Sequence, residues 1–204
     1  MVIPYSLLRR LTLNDLEQIY NLYQIVAQVN QGNLTQEPDE ITLNYVEDML
    51  ICGLVRGLIL GIETEGKIVA YLKAFTSEFR CLAHVLTNAT MMVHPDWQQH
   101  GYGKQLMIAY LQTIQSQMQH ILLFELLPHQ SNLKAIQFYK KLGFVQQSVA
   151  PERIRTISGN FESEVRLVWY NPNFSQTGLK QYHQFLDNLI HGGNRRFVLS
   201  SAAL

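Results

Sequence analysis

ATMMVHPDWQQHGYGK, residues 89–104, is the stretch that decides the fold of this chain. Its apolar start, residues 89–93, leads through a polar turn to Gly101 and Gly103, and an apolar helical face follows over residues 104–114. The order is strand, glycine-rich turn and helix. Glycine lets the backbone approach a ligand without a Cβ in the way, and the first amides of a helix lack intrahelical partners. We therefore expect this turn to bind an oxyanion such as phosphate.

A second stretch, ILLFELLPHQSNLKAIQFYKKLGF at residues 121–144, repeats the arrangement with a different ending. Residues 121–127 are typical of a buried strand, and Asn132 opens a helix after a short polar link. Gly143 closes that helix as the left-handed residue after its last turn, and Phe144 starts another apolar strand.

The two stretches together resemble the acetyl-CoA-binding core of the GNAT superfamily of N-acetyltransferases. The first half of the matching pattern is Val93-x-Pro95-x-x-Gln98-x-x-Gly101-x-Gly103-Lys104. The second half, one helix and one strand later, is Asn132-x-x-Ala135-x-x-Phe138-Tyr139-Lys140-Lys141-Leu142-Gly143-Phe144. The resemblance covers roughly residues 58 to 147 and implies an α/β (α+β) fold. In that fold a mixed, mainly antiparallel sheet of about seven strands has helices on both faces.

The remaining pattern predicts elements on either side of this core. Strands are predicted at residues 6–11, 58–64, 67–77, 81–93 and 165–170, with an irregular segment at 148–162. Helices are predicted after a cap at Thr12 or Asn14, at about residues 40–52, and at 176–191, where Gly192 and Gly193 end the last one. We divide the chain into an acetyltransferase domain, 1–174, and a C-terminal helix and tail, 175–204, packed on that domain or at a dimer contact.

Composition narrows the function classes. Sixteen basic and sixteen acidic residues cancel, so charge gives no argument for a nucleic acid or membrane partner. The N-terminus lacks the pattern of a secretory signal, and the longest apolar region, 49–62, is shorter than the roughly 20 residues that span a bilayer. We expect a cytoplasmic protein, monomeric or homodimeric, with Cys52 and Cys81 as buried thiols. The spacing of the histidines and cysteines predicts no metal site.

Acetyl transfer to an amine needs a base for the amine proton and an acid for the departing thiolate. The resemblance implies that the Tyr139 hydroxyl is this acid, although a lone tyrosine on such a helix is ordinarily a core residue. Glu125, a carboxylate within an apolar strand, is the candidate base. A glutamate paired with a basic neighbour is an equally good interpretation, and His84, His94 and Glu78 are the next candidates.

The resemblance also implies how acetyl-CoA would bind. The amides of Met91, Met92 and Val93 would pair with its pantetheine arm, and Asn132 would reach the pantetheine or phosphate region near Tyr139. The diphosphate would lie in a loop made of Gln98, Gln99, His100, Gly101, Tyr102, Gly103 and Lys104.

The resulting functional prediction is an N-acetyltransferase that moves acetyl from acetyl-CoA to a primary amine by direct attack. The alternative is an acyl-CoA-binding regulatory or sensor module without turnover. We expect the acceptor to bind at the loop with Glu37, Asp39 and Glu40 and at residues 148–164. That acidic loop favours a cationic small-molecule or peptide amine.

Overall fold

The computed structural model describes residues 6–29, 34–156 and 158–191. Within these ranges the chain forms seven strands and five α-helices. The strands are β1 (Ser6–Arg10), β2 (Gly57–Thr64), β3 (Lys67–Thr76), β4 (Val85–Val93), β5 (Leu123–Leu126), β6 (Val145–Arg155) and β7 (Phe161–Tyr170). The helices are α1 (Leu16–Val29), α2 (Leu43–Arg56), α3 (Tyr102–Gln117), α4 (Leu133–Lys141) and α5 (Gln176–His191).

All seven strands belong to one sheet, in the order β1-β2-β3-β4-β5-β7-β6. Only β4 and β5 run parallel, and every other neighbouring pair is antiparallel. The hairpin between β2 and β3 turns at Glu65 and Gly66, with φ of 54° and 74°, the positive values that a tight hairpin turn requires. The predicted mixed, mainly antiparallel sheet of seven strands is confirmed.

The sheet separates two hydrophobic cores, as expected when helices cover both of its faces. On one face, α1 and α2 pack through Tyr23, Val26 and Leu50 against sheet residues that include Tyr71. On the other, α3 and α4 pack through a larger set: Leu106, Met107, Tyr110, Ile114 and Ile136. Since side chains alternate along a strand, each strand residue can be assigned to one of these faces.

Two sequence predictions about strands were wrong. The strand expected at 81–93 starts only at Val85, because residues 80–82 form a 3-10 turn. That turn leaves Cys81 exposed, so the prediction of a buried thiol holds for Cys52 alone. Within the segment expected to be irregular, 148–162, residues 148–155 instead belong to β6 and residues 161–162 to β7, and these two strands pair antiparallel. Strand β6 lies at the sheet edge and is exposed along most of its length. Its sequence therefore lacks the alternation of apolar and polar residues that predicts a strand.

Helix α5 lies against the chain near the end of β3 and the end of α3. The Tyr182 and Thr76 hydroxyls are 3.0 Å apart, and the Tyr182 ring stacks on His120 at 3.9 Å between centroids. Arg80 forms an ion pair with Asp187 at 3.3 Å. The predicted stop at Gly192 and Gly193 lies outside the described residues. Among the residues that are described, no helix has the length and apolar character needed to cross a membrane.

Candidate active site

The sheet opens into a fork between its two parallel strands. Strands β4 and β5 pair only at Val85 with Leu123 and at Leu86 with Phe124. On its other edge, β4 stays paired with β3 as far as Val93. Beyond Leu86 the β5-facing edge of β4 therefore presents main-chain groups to a gap, and an extended ligand can pair with such an edge. Met91, Met92 and Val93 lie along this part of β4.

The gap leads directly to the glycine-rich turn and the start of α3. Gly101 has φ of +82°, and nothing lies within 4 Å of the position that a Cβ would occupy. No side chain caps α3, and its first intrahelical bond is donated by Gln105 to Gly101 O at 3.0 Å. The amides of Tyr102, Gly103 and Lys104 thus have no partners within the helix. Open space beside uncapped amides has the geometry that fits a phosphate group.

Residues on the approach to this turn are tied to one another. Gln98 Nε2 donates to Val93 O at 3.4 Å, and His100 Nδ1 lies 2.8 Å from Gln98 O. The His100 ring in turn stacks on Tyr102, 6.2 Å between centroids. Gln99 has φ of 64°. These contacts within the turn therefore stabilise its conformation, and the Gln98 side chain already makes one hydrogen bond within the chain.

Helix α4 supplies the predicted acid. Asn132 is its N-cap, with Oδ1 accepting from Ala135 N at 3.1 Å. Tyr139 lies two turns later, half-buried between Phe138 and Phe144 at 5.2 Å and 5.7 Å between ring centroids. Burial raises the pKa of the Tyr139 phenol to about 12. The hydroxyl is therefore protonated at neutral pH, which is the state required of a proton donor.

Glu125 is paired with a cation, as the alternative interpretation anticipated. Its Oε2 accepts from Arg166 Nε on β7 at 2.7 Å, and its side chain is 15% exposed. Because Phe124 and Leu126 point into the α3–α4 core, Glu125 points to the opposite face of the sheet. Sequence reasoning missed Arg166, since nothing in the chain order shows which strand pairs with β5.

The alternative bases lie in other parts of the molecule. His84 and Glu78 come before β4, near the closed end of the fork. His94 lies just after β4, and its Nδ1 accepts from Asp96 N at 3.2 Å. A further histidine, His129, was not considered from the sequence. Its Nδ1 lies 3.5 Å from Glu162 Oε2 on β7.

The comparison with known families decides the class of this domain. Residues 56–146 match the model described as the acetyltransferase (GNAT) domain. These residues form a GNAT acetyltransferase domain. The GNAT match begins at the end of α2 and ends in β6, so it contains the fork, the glycine-rich turn and the Tyr139 helix. No curated protein matches the chain by sequence.

Solved structures similar to this chain support the same fold. An acetyltransferase of the GNAT family from Streptococcus pneumoniae superposes with a TM-score of 0.73 at 16% identity, covering 81% of this chain and 99% of that one. The protein yncA from Salmonella typhimurium, in a structure with its cofactor acetyl-CoA, gives 0.69 at 15%, covering 81% and 93%. The ribosomal-protein-S18-alanine N-acetyltransferase from Escherichia coli gives 0.62 at 18%, covering 82% and 94%. At these identities the likeness is one of fold.

Proposed function

We propose that this protein transfers the acetyl group of acetyl-CoA to a primary amine by direct attack of the amine. The observation that carries the proposal is the fork between β4 and β5, which opens onto the uncapped first turn of α3. An extended arm ending in phosphates matches both parts of this site. Pantetheine can pair with β4, and a diphosphate can accept from helix amides.

Acetyl-CoA would be held mainly by main-chain groups. In this proposal the gap-facing main-chain groups of Met91, Met92 and Val93 bind the pantetheine arm, and the turn from Gln98 to Lys104 surrounds the diphosphate. Support comes from Gly103, where an added Cβ would meet Val93 Cγ2 at 3.7 Å and Met91 Cε at 3.9 Å. The turn therefore packs closely on the end of β4, and the two parts of the site are continuous. Asn132 and Tyr139 complete the cofactor site from α4.

Bound acetyl-CoA supplies an activated thioester, and the protein supplies the proton transfers. Tyr139 donates a proton to the departing thiolate, whose unperturbed thiol pKa is about 8.5. Glu125 accepts the amine proton through water. Arg166 occupies Oε2 and leaves Oε1 for a second hydrogen bond.

The acceptor would approach the face of the sheet that carries Glu125. The loop with Glu37, Asp39 and Glu40 precedes α2, which covers part of that face. Within the predicted acceptor segment 148–164, residues 148–155 lie in β6 and residues 161–164 in β7, and β7 is the neighbour of β5. We propose a cationic primary amine as the acceptor, because local acidic groups raise its concentration at the site. Cytoplasmic location and a monomeric or homodimeric state stay predictions.

Two measurements test the proposal. Isothermal titration of the whole chain with acetyl-CoA should show saturable binding, and a thiol-release assay should show turnover with at least one class of amine. The amine panel includes peptides with free N-termini, lysine derivatives, polyamines and neutral amines of matched size. Binding without turnover across the panel would favour the acyl-CoA-binding sensor module. Equal rates with neutral and cationic amines would contradict the proposed acceptor class.

A further inference from the structure

A buried lysine lies beneath the fork, on strand β3. Lys73 is 2% exposed, and its ammonium lies 4.8 Å from the centre of the Phe75 ring. None of the ion pairs among the described residues includes Lys73. Burying an ammonium without a carboxylate partner is energetically unfavourable. Burial accordingly lowers the pKa of Lys73 to about 8.

The ammonium is bound instead by a main-chain carbonyl of β4. Lys73 Nζ donates to Asn88 O at 2.9 Å and also contacts Met49 Sδ of α2 at 3.4 Å. The contact with α2 shows that the Lys73 side chain approaches β4 from the α1–α2 side of the sheet. A hydrogen bond from an ammonium is roughly twice as strong as one between neutral groups.

The carbonyl in question belongs to a β-bulge. Lys73 pairs with Thr90 and Phe75 pairs with Thr87, so one residue of β3 faces two residues of β4, Asn88 and Ala89. Asn88 has φ of 53°, a left-handed conformation that non-glycine residues seldom adopt. The bulge begins two residues after Leu86, the last β4 residue paired with β5. It therefore lies where the fork opens.

The geometry of the bulge peptide links Lys73 to the open side of the fork. The described chain has no cis peptide bonds, so the Ala89 N–H points away from the Asn88 carbonyl of the same peptide. With that carbonyl directed at Lys73, the Ala89 N–H is directed away from α2. Ala89 and Tyr139 both pack against the core on the α3–α4 side. A hydrogen bond to one end of a peptide also strengthens the donor at the other end.

We propose that Lys73 is a positioning residue for acetyl transfer, because its ammonium fixes the bulge peptide and directs the Ala89 N–H at the acetyl carbonyl oxygen. This inference rests on the proposed function. A main-chain donor aimed at the oxygen where negative charge develops stabilises the transition state more than the bound substrate. Loss of Lys73 should therefore affect kcat more than acetyl-CoA affinity.

The main variant is Lys73→Met, which keeps a long side chain and removes the charge. We expect a fall in kcat of about 100-fold, the effect of a misplacement of roughly 1 Å in a reacting group. The Kd for acetyl-CoA from calorimetry should change less than threefold. The matched control is Tyr71→Phe, which changes another buried polar residue on β3, two positions away, without touching Asn88. It should keep kcat within threefold of the unchanged protein.

A second readout needs no substrate. The Ala89 amide ¹⁵N resonance should titrate with a midpoint near pH 8 in the unchanged protein and lose that titration in Lys73→Met. The Cys52 side chain interacts electrostatically with Lys73, and the Arg56 guanidinium lies over the same Phe75 ring as the Lys73 ammonium. A Cys52→Ala variant should therefore keep the Ala89 titration.

Each outcome separates this inference from the proposed function. If the unchanged protein takes up no acetyl-CoA, the proposed function fails and the catalytic role of Lys73 fails with it. If the unchanged protein turns over and Lys73→Met matches it, only the inference is overturned. Equal loss of turnover in Tyr71→Phe would also overturn it, since any change in this core would then suffice. Should Lys73→Met not fold, an Ala89 resonance that does not titrate in the unchanged protein would still refute the contact.

Discussion

Arg166 Nε on β7 donates to Glu125 Oε2 on β5 at 2.7 Å, so the proposed base is held by a guanidinium from the neighbouring strand. If Glu125 accepts the amine proton through water, Glu125→Gln should lower kcat by about 100-fold and change the shape of the pH–rate profile. Steady-state rates from pH 5 to 9 measure both effects. Glu17→Gln, a change at an exposed site on α1, is the control. An unshifted profile would transfer the role to water or to His84, His94 or Glu78.

Tyr139→Phe should reduce kcat by about 100-fold and leave the Kd for acetyl-CoA nearly unchanged. The ring keeps its packing against Phe138 and Phe144, while the proton donor is lost. Because the pKa of Tyr139 is raised to about 12, its ionisation should produce no alkaline loss of rate below about pH 11. Tyr170→Phe, at an exposed tyrosine that ends β7, is the matched control. Full activity of Tyr139→Phe would remove Tyr139 from the mechanism.

Gly101→Val should abolish acetyl-CoA binding in a folded protein. Valine at φ of +82° is strained by about 1–3 kcal/mol, and its side chain fills the open space in front of the α3 amides. Gly66→Val is the control that distinguishes backbone strain from blocking of the phosphate site. Gly66 has φ of +74° and equally open surroundings but lies in the β2–β3 hairpin. We expect similar losses of thermal stability in both variants and loss of binding only in the first. Binding retained by Gly101→Val would contradict the phosphate site.

Asp15→Asn should destabilise the N-terminal part of the sheet at neutral pH. Asp15 accepts from Arg9 at 2.7 and 3.0 Å and from Thr12 N at 2.8 Å, and the bond from Arg9 is the main reason that its pKa is lowered. Losing these charge-assisted bonds should lower the free energy of unfolding by about 1–3 kcal/mol at pH 7.

The sign of the pH dependence follows from the lowered pKa. Ionised Asp15 stabilises the folded state fully above its unfolded pKa of about 4, and this contribution is lost as pH falls through the lower folded pKa. Urea unfolding at pH 7 and pH 3 should therefore show a difference between the variant and the unchanged protein that shrinks in acid. Asp39→Asn, at an exposed loop position, should show little difference at either pH. A difference independent of pH would point to packing rather than charge.

Sequence reasoning succeeded where a few neighbouring residues decide the conformation. The hairpin at Glu65 and Gly66 and the left-handed Gly143 were predicted from single residues and their spacing, and Thr12 is the one of the two predicted cap residues that caps. The sequence-based prediction failed to find strand β6. Pro151 and the positive φ of Glu152 interrupt this polar edge strand between Ala150 and Ile154. An edge strand tolerates proline and exposure on both faces, so its sequence resembles that of a loop.

The sequence by itself determined the order of the helices and strands. It also determined where the two helices beside the site, α3 and α4, begin, and that Tyr139 belongs to α4. These depend on backbone preferences and on spacings of three or four residues, which act locally. Only the tertiary structure decided that β7 lies beside β5, that β4 and β5 part after Leu86, and that Lys73 reaches Asn88. Such contacts join residues that are distant along the chain, and their partners are selected by the packing of the whole sheet.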